Sequence, residues 1–275
     1  MPRTWWKSLL YTHGKLAEDY PPCTKGLDHW WLGGFLIEDE EMLEFVASEK
    51  PDYLAFEAWV EQTARRKPNA LGRESWNAFI ETRIHRPSKF FGITEELGLD
   101  PATDLMSAVI LNHQEDWHYF SERDFSKLKD ISTIPLISSI DYGRLGVCQL
   151  PRTWLKLLLE SDAKLHPDYL GFGGGLDAQV LKLLNLDRDD TIRFVASELP
   201  SYIEFENWIS AQPDVVLDAR DIEEWNAYIT NREHNREKQE ALMKFLNLPE
   251  DQNITSAVVL NNLEDWAYAF RQIDN

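Results

Sequence analysis

Cysteine is almost absent from this chain. Cys23 and Cys148 are the only two, too few and too far apart for a disulfide framework or a thiolate metal cage. Both read as inert thiols of a reducing compartment, and no metal is expected. Long apolar runs are missing as well, since no stretch approaches the roughly 20 residues that a membrane span needs. The opening "MPRTWWKSLL" has neither a small-residue cleavage site nor an uninterrupted apolar core. A membrane is therefore not an expected partner, and the expected location is cytoplasmic. Positive charge is scarce: 28 Lys and Arg face 47 Asp and Glu, a formal charge of -19. Such a surface repels phosphate backbones, which removes nucleic acid from the expected partners. Alternating strand patterns are nearly absent too, which excludes a β architecture.

Apolar and aromatic residues are plentiful. They make up 43% and 12% of the chain, with 11 Trp, a composition that folds rather than staying disordered. The 275 residues suffice for two domains of ordinary size. A repeat points to two. "SAVILNHQEDW" begins at Ser107 and "SAVVLNNLEDW" at Ser256, 149 positions later. The same offset carries "PRTW" from 2–5 to 151–154, "GLD" from 26–28 to 175–177, "FVASE" from 45–49 to 194–198 and "WNA" from 76–78 to 225–227. No gap interrupts the register, and the period exceeds that of a solenoid, so each copy is a whole domain. The expected organisation is a first helical repeat over 1–120, a packed connector over 121–150 and a second helical repeat over 151–275. Ile134, Leu136, Ile137 and Ile140 make the connector too apolar for a free linker. A duplicated fold packs about a pseudo-two-fold axis as closed homodimers do, so the chain is expected to be a monomeric pseudo-dimer.

Helical periodicity runs through each copy. "EEMLEFVASE" and "DDTIRFVASE" space their apolar residues on one face and lead with acids, which suit the helix dipole. Asp52 and Ser201 read as N-caps of "YLAFEAWV" and "YIEFENWI". Asp28 and Asp177 read as caps of the helices that follow them, and Asn112 and Asn261 as caps ahead of Glu115-Asp116 and Glu264-Asp265. The fold class is all-α, two bundles of roughly five or six helices each.

Each copy also resembles a bacterial domain of unknown function, the family numbered five-zero-six-nine. The resemblance rests on a tyrosine ahead of "LD" (Tyr20 then Leu27-Asp28; Tyr169 then Leu176-Asp177), on "WV" or "WI" at 59 and 208, and on the "WNA" blocks with a following arginine. It implies no activity, substrate or cofactor.

Residues that could carry chemistry are weighed by whether both copies hold them. Eight tryptophans pair at the offset (Trp5 with Trp154, Trp59 with Trp208, Trp76 with Trp225, Trp117 with Trp266) and are explained by shared packing. Trp6, Trp30 and Trp31 face Leu155, Gln179 and Val180 instead. Five of the histidines, His29 among them, lie in the first copy, and only His85 and His234 correspond. The segment "GLDHWWLGG" is therefore the expected site: Trp30, Trp31 and Tyr20 as ligand-binding walls and His29 as a general acid or base. Arg83, paired with Arg232, could hold a ligand oxyanion, although a structural pair with Glu57 or Glu206 is the plainer reading. "HQEDWH" is no zinc helix, because His113 and His118 are five apart rather than four. The functional expectation is a small-molecule binder or enzyme with a single site in the first repeat and no cofactor. The alternative is an interaction module that offers exposed Trp6, Trp30 and Trp31 to a protein partner.

Overall fold

The computed structural model describes residues 1–100, 103, 105–128, 131–249 and 252–273. Among these the fold is all-helical, with 14 α-helices and no strand. The first seven are α1 (Pro2–Thr12), α2 (Leu27–Phe35), α3 (Asp39–Glu49), α4 (Tyr53–Thr63), α5 (Ala70–Thr82), α6 (Pro87–Glu96) and α7 (Ala108–Tyr119). The rest are α8 (Leu150–Ser161), α9 (Gly175–Leu183), α10 (Arg188–Glu198), α11 (Tyr202–Ser210), α12 (Ala219–Asn231), α13 (Arg236–Phe245) and α14 (Ala257–Ile273). Three pairs, α3 with α10, α5 with α12 and α6 with α13, begin and end at the offset that separates Ser107 from Ser256.

Local chemistry sets several helix starts. Asp52 accepts from Ala55 N at 2.8 Å, and Ser201 forms a capping box with Glu204, as their positions after Pro51 and Pro200 suggest. Elsewhere the caps differ from expectation. Gly26 and Gly174 stand at the N-cap positions of α2 and α9, which leaves Asp28 and Asp177 buried in the first turns. Ser107 caps α7, accepting from Ile110 N at 3.4 Å. Asn112 and Asn261 lie inside their helices and accept from buried imidazoles instead: His85 Nε2 to Asn112 Oδ1 at 2.9 Å and His234 Nε2 to Asn261 Oδ1 at 2.8 Å.

The chain forms two compact units, Met1–Ala78 with the segment from Trp266 on, and Phe79–Asp265. In the first, α1 packs on α3 and α4. Trp5 is fully buried and donates from Nε1 to Pro51 O at 2.9 Å. Phe45 and Trp59 stack at 4.5 Å and 7°. Tyr53 meets Trp266 of α14 at 4.4 Å. In the second unit α8 packs on α10 and α11, with Trp154 Nε1 to Pro200 O at 2.9 Å and Phe194 stacked on Trp208 at 4.6 Å and 7°. There α7 lies against α11, with Trp117 at 4.8 Å from Tyr202.

Between Phe120 and Lys127 the chain makes a π turn and a 3-10 turn, and the described residues 131–149 are irregular. Positions 129 and 130 lie outside the described residues. The segment is packed through part of its apolar side chains: Ile134, Ile137, Val147 and Cys148 are buried, whereas Ile131, Leu136, Ile140 and Tyr142 are exposed. No helix among the described residues is long and apolar enough to cross a membrane.

Candidate functional site

The repeated blocks "PRTW" and "GLD" meet in each unit. On α1, Thr4 and Lys7 fall one helical turn apart and share a face. They reach Asp28 on α2, with Thr4 Oγ1 at 2.6 Å and Lys7 Nζ at 2.5 Å. Thr24 adds its N at 2.9 Å and its Oγ1 at 2.8 Å. Hydrogen bonds from Lys7 and Thr4 hold the Asp28 carboxyl below its ordinary pKa against the opposing effect of burial. In the second unit Lys156 lies 2.7 Å and Thr153 2.8 Å from Asp177, and Gln149 Nε2 adds a bond at 3.0 Å. In both, the Lys, Thr and Asp are buried and the carboxylate is met by the lysine of the facing helix, so they are structural. Their invariance between halves follows from that.

The expected site disperses. Trp31 is buried, 7% exposed, and its Nε1 donates to Thr4 Oγ1 at 2.8 Å; Trp30, one residue earlier, is 51% exposed. Successive residues on a helix diverge by about 100°, which is why one enters the unit and the other leaves it. His29 points out as well and bonds through Nδ1 to both oxygens of Asp39 at 2.9 and 3.1 Å, a carboxylate shared with Lys25 at 3.1 Å. It thereby ties α2 to the first turn of α3. Tyr20 accepts from Arg3, and its ring lies under Lys7 Nζ at 5.7 Å. Arg83 is in the other unit, and its carbonyl accepts from Ala108 N at 2.9 Å. Trp6 is half-buried beside Trp5.

Among the described residues, Arg83 and Arg232 do not pair with Glu57 or Glu206. Glu206 is fully buried and receives Arg144 Nε at 2.8 Å and Leu145 N at 3.1 Å, both from the connector. Glu57 accepts from Tyr53 at 3.5 Å. Burial lowers the pKa of Arg232. A buried guanidinium, Arg152, grips Asp265 at 2.5 and 3.1 Å, with Tyr169 donating to the same carboxylate at 2.8 Å.

Of the expected site residues, Trp31 borders a substantial cleft. That cleft, of about 700 Å³ in the first unit, lies between the end of α2 and the start of α5 and is walled by Trp31, Phe35, Pro68 and Trp76. Its polar lining includes Arg66, Lys67, Asn69, Arg73 and Asn77, with Met1 at the N-terminus beside them. Arg66 is anchored by Nε to Gly34 O at 2.8 Å and Nη2 to Gly33 O at 3.2 Å, and Arg73 by Nη1 to Pro68 O at 2.8 Å. Neither Arg66, Lys67 nor Arg73 has a carboxylate partner among the described residues, unlike neighbouring Arg65, which pairs with Glu41 at 3.0 Å. At the same offset the second unit carries Val180, Leu184, Val215, Val216, Asp218 and Ile222, and Val215 and Ile222 pack against its core.

A signal for this cleft was present in the sequence: "RRKPNALGR" at 65–73 has four cations where "DVVLDARDI" at 214–222 has three acids and one. The contrast lies in charge, which the aromatic and histidine differences between the copies do not carry.

Neither thiol is poised for nucleophilic chemistry, since burial pushes both Cys23 and Cys148 up to about 12. Among the described residues no group of His, Cys, Asp and Glu could hold a metal ion. No family model, curated protein or solved structure matches the chain.

Proposed function

We propose that this protein binds a small molecule at a single site, the cleft of the first unit. One observation carries this reading: aromatic walls and unneutralised cations line a cavity of about 700 Å³ in the first unit, while the corresponding positions of the second are apolar or acidic. Volume and lining match those of ligand pockets, which are mostly apolar with a few fixed polar groups. Trp31 contributes a wall, and Trp30 and Trp6 do not, which favours a concave site over a patch of three exposed tryptophans. A ligand-library screen by tryptophan fluorescence tests this. Hits should quench the intact chain, lose their effect in Arg73→Gln and Trp76→Ala, and keep it in Val216→Ala. Equal loss in Val216→Ala removes the one-sided site.

We also propose that the chain is a tandem duplication of the resembled bacterial family, with approximate two-fold symmetry, in a cytoplasmic monomer. The halves exchange their last helices. Support comes from contacts that recur at the repeat offset, each joining the two halves of the chain. Trp117 meets Tyr202 at 4.8 Å as Trp266 meets Tyr53 at 4.4 Å. Lys164 donates to Phe125 O at 3.0 Å, and Lys15 donates to Ile273 O at 2.6 Å, one residue short of the position equivalent to Phe125. Exchange of an identical element between copies is a familiar route to a stable pair.

A further inference from the structure

The proposed site implies a ligand class, and the following rests on that reading. Arg66 and Arg73 each spend part of their guanidinium on backbone carbonyls, at 2.8 and 3.2 Å for Arg66 and 2.8 Å for Arg73. Those bonds fix the planes while leaving other N–H groups of each fork unassigned. Cations held in place lose less entropy when they meet an anion. Lys67 adds a third positive charge to the same lining.

The two halves differ most informatively at the helix start beneath these residues. In the second unit the first amides of α12 are met by a resident carboxylate, Asp218, which accepts from Arg220 N at 2.9 Å and Asp221 N at 3.1 Å. In the first unit the equivalent residue is neutral Asn69, whose Oδ1 accepts from Gly72 N at 2.9 Å. The positive end of α5 and three cations thus face the cleft without the negative charge that the second half builds in. In a chain of charge -19, a cationic pocket without internal neutralisation is a strong local departure. The remaining walls, Trp31, Phe35, Pro68 and Trp76, are flat and apolar, and rings stack on such surfaces.

We infer that the cleft takes a ring-bearing oxyanion, an aryl phosphate or aryl carboxylate, with the anionic group among Arg66, Lys67 and Arg73 and the ring against Trp31 and Trp76. Both anion types offer the oxygens that a guanidinium fork reads, and separate probes distinguish them.

The experiment is calorimetric titration of the full chain with phenyl phosphate, benzoate, benzyl alcohol and inorganic phosphate, while the Trp76 indole is followed by NMR. At least one aryl oxyanion should bind tenfold or more tightly than benzyl alcohol and than inorganic phosphate, weaken with added salt, and shift Trp76. In Lys67→Gln/Arg73→Gln, which changes exposed side chains, its advantage over benzyl alcohol should vanish with the melting temperature unchanged. If benzyl alcohol shifts Trp76 and binds as tightly as both anions, the oxyanion inference is wrong and the small-molecule site stands. If inorganic phosphate binds as tightly as phenyl phosphate, the ring plays no part and the inference is again wrong. If no probe shifts Trp76, the inference fails, and an empty library screen would then remove the site as well.

Discussion

Asp28 and Asp177 are the residues that best explain why short blocks recur along this chain. Each is a buried carboxylate held by a Lys and a Thr one turn apart. Removing one partner of such a pair strands the other in a poor solvent, at a cost of about 3 to 5 kcal/mol. Lys7→Ala and Lys156→Ala should each lower stability by that amount in chemical denaturation, whereas Lys7→Met with Asp28→Leu should recover most of the loss. Gly143 makes a different demand. A Cβ there would sit 2.4 Å from Glu206 Oε1 and 2.4 Å from the Tyr202 ring, and neither group can retreat easily, because Glu206 is held by Arg144 and Tyr202 is packed in the core. Gly143→Ala should therefore cost about 1 to 3 kcal/mol, and a melting curve that matches wild type would show that the segment shifts freely. Such residues were only partly legible in sequence. The repeat exposes Thr4, Lys7 and Asp28 as constants, but the purpose of constancy, a pair across two helices, needs the third dimension. Arg144 had no signal at all, since the connector has no counterpart against which to compare it.

At the level of elements, α2 shows what periodicity can and cannot tell. That Trp30 and Trp31 diverge follows from helix geometry alone, yet which one turns inward depends on α1, where Thr4 receives the Trp31 indole. Trp31→Ala should cost about 3 to 5 kcal/mol, and Trp30→Ala should leave the melting temperature near native. The caps at Asp52 and Ser201 were legible because their chemistry spans only three residues. The caps assigned to Asn112 and Asn261 were not, because His85 and His234, 27 residues away in sequence, bind those amides instead. Helix α7 is the clearest case of tertiary override. Its sequence belongs to the first copy, but Trp117 packs on Tyr202. Trp117→Ala should therefore reduce amide-exchange protection in α11 more than in α4, and Trp266→Ala should do the reverse. Losses confined to α4 in the first variant would mean that the last helices are not exchanged.

For the molecule as a whole, the two buried imidazoles contribute to acid sensitivity. Burial lowers His85 and His234 below the ordinary 6.5, because the charged form is disfavoured. The unfolded chain therefore binds protons first as pH falls. This contribution to stability is complete above pH 6.5 and is lost progressively below it, towards the folded-state values. Thermal midpoints measured from pH 7.5 to 5.5 should fall on the acid side, and the fall should be shallower in His85→Gln/His234→Gln. An unchanged slope would assign the acid response to other groups.

The proposed function rests on the asymmetry between the halves, and labelled indole groups read it directly. With nitrogen-15 tryptophan in the full chain, titration with an aryl phosphate or aryl carboxylate should shift the Trp31 and Trp76 indoles and leave Trp208 and Trp225 in place. Equal shifts at Trp76 and Trp225, or shifts confined to exposed Trp30, would show that the cleft of the first unit is not the binding site.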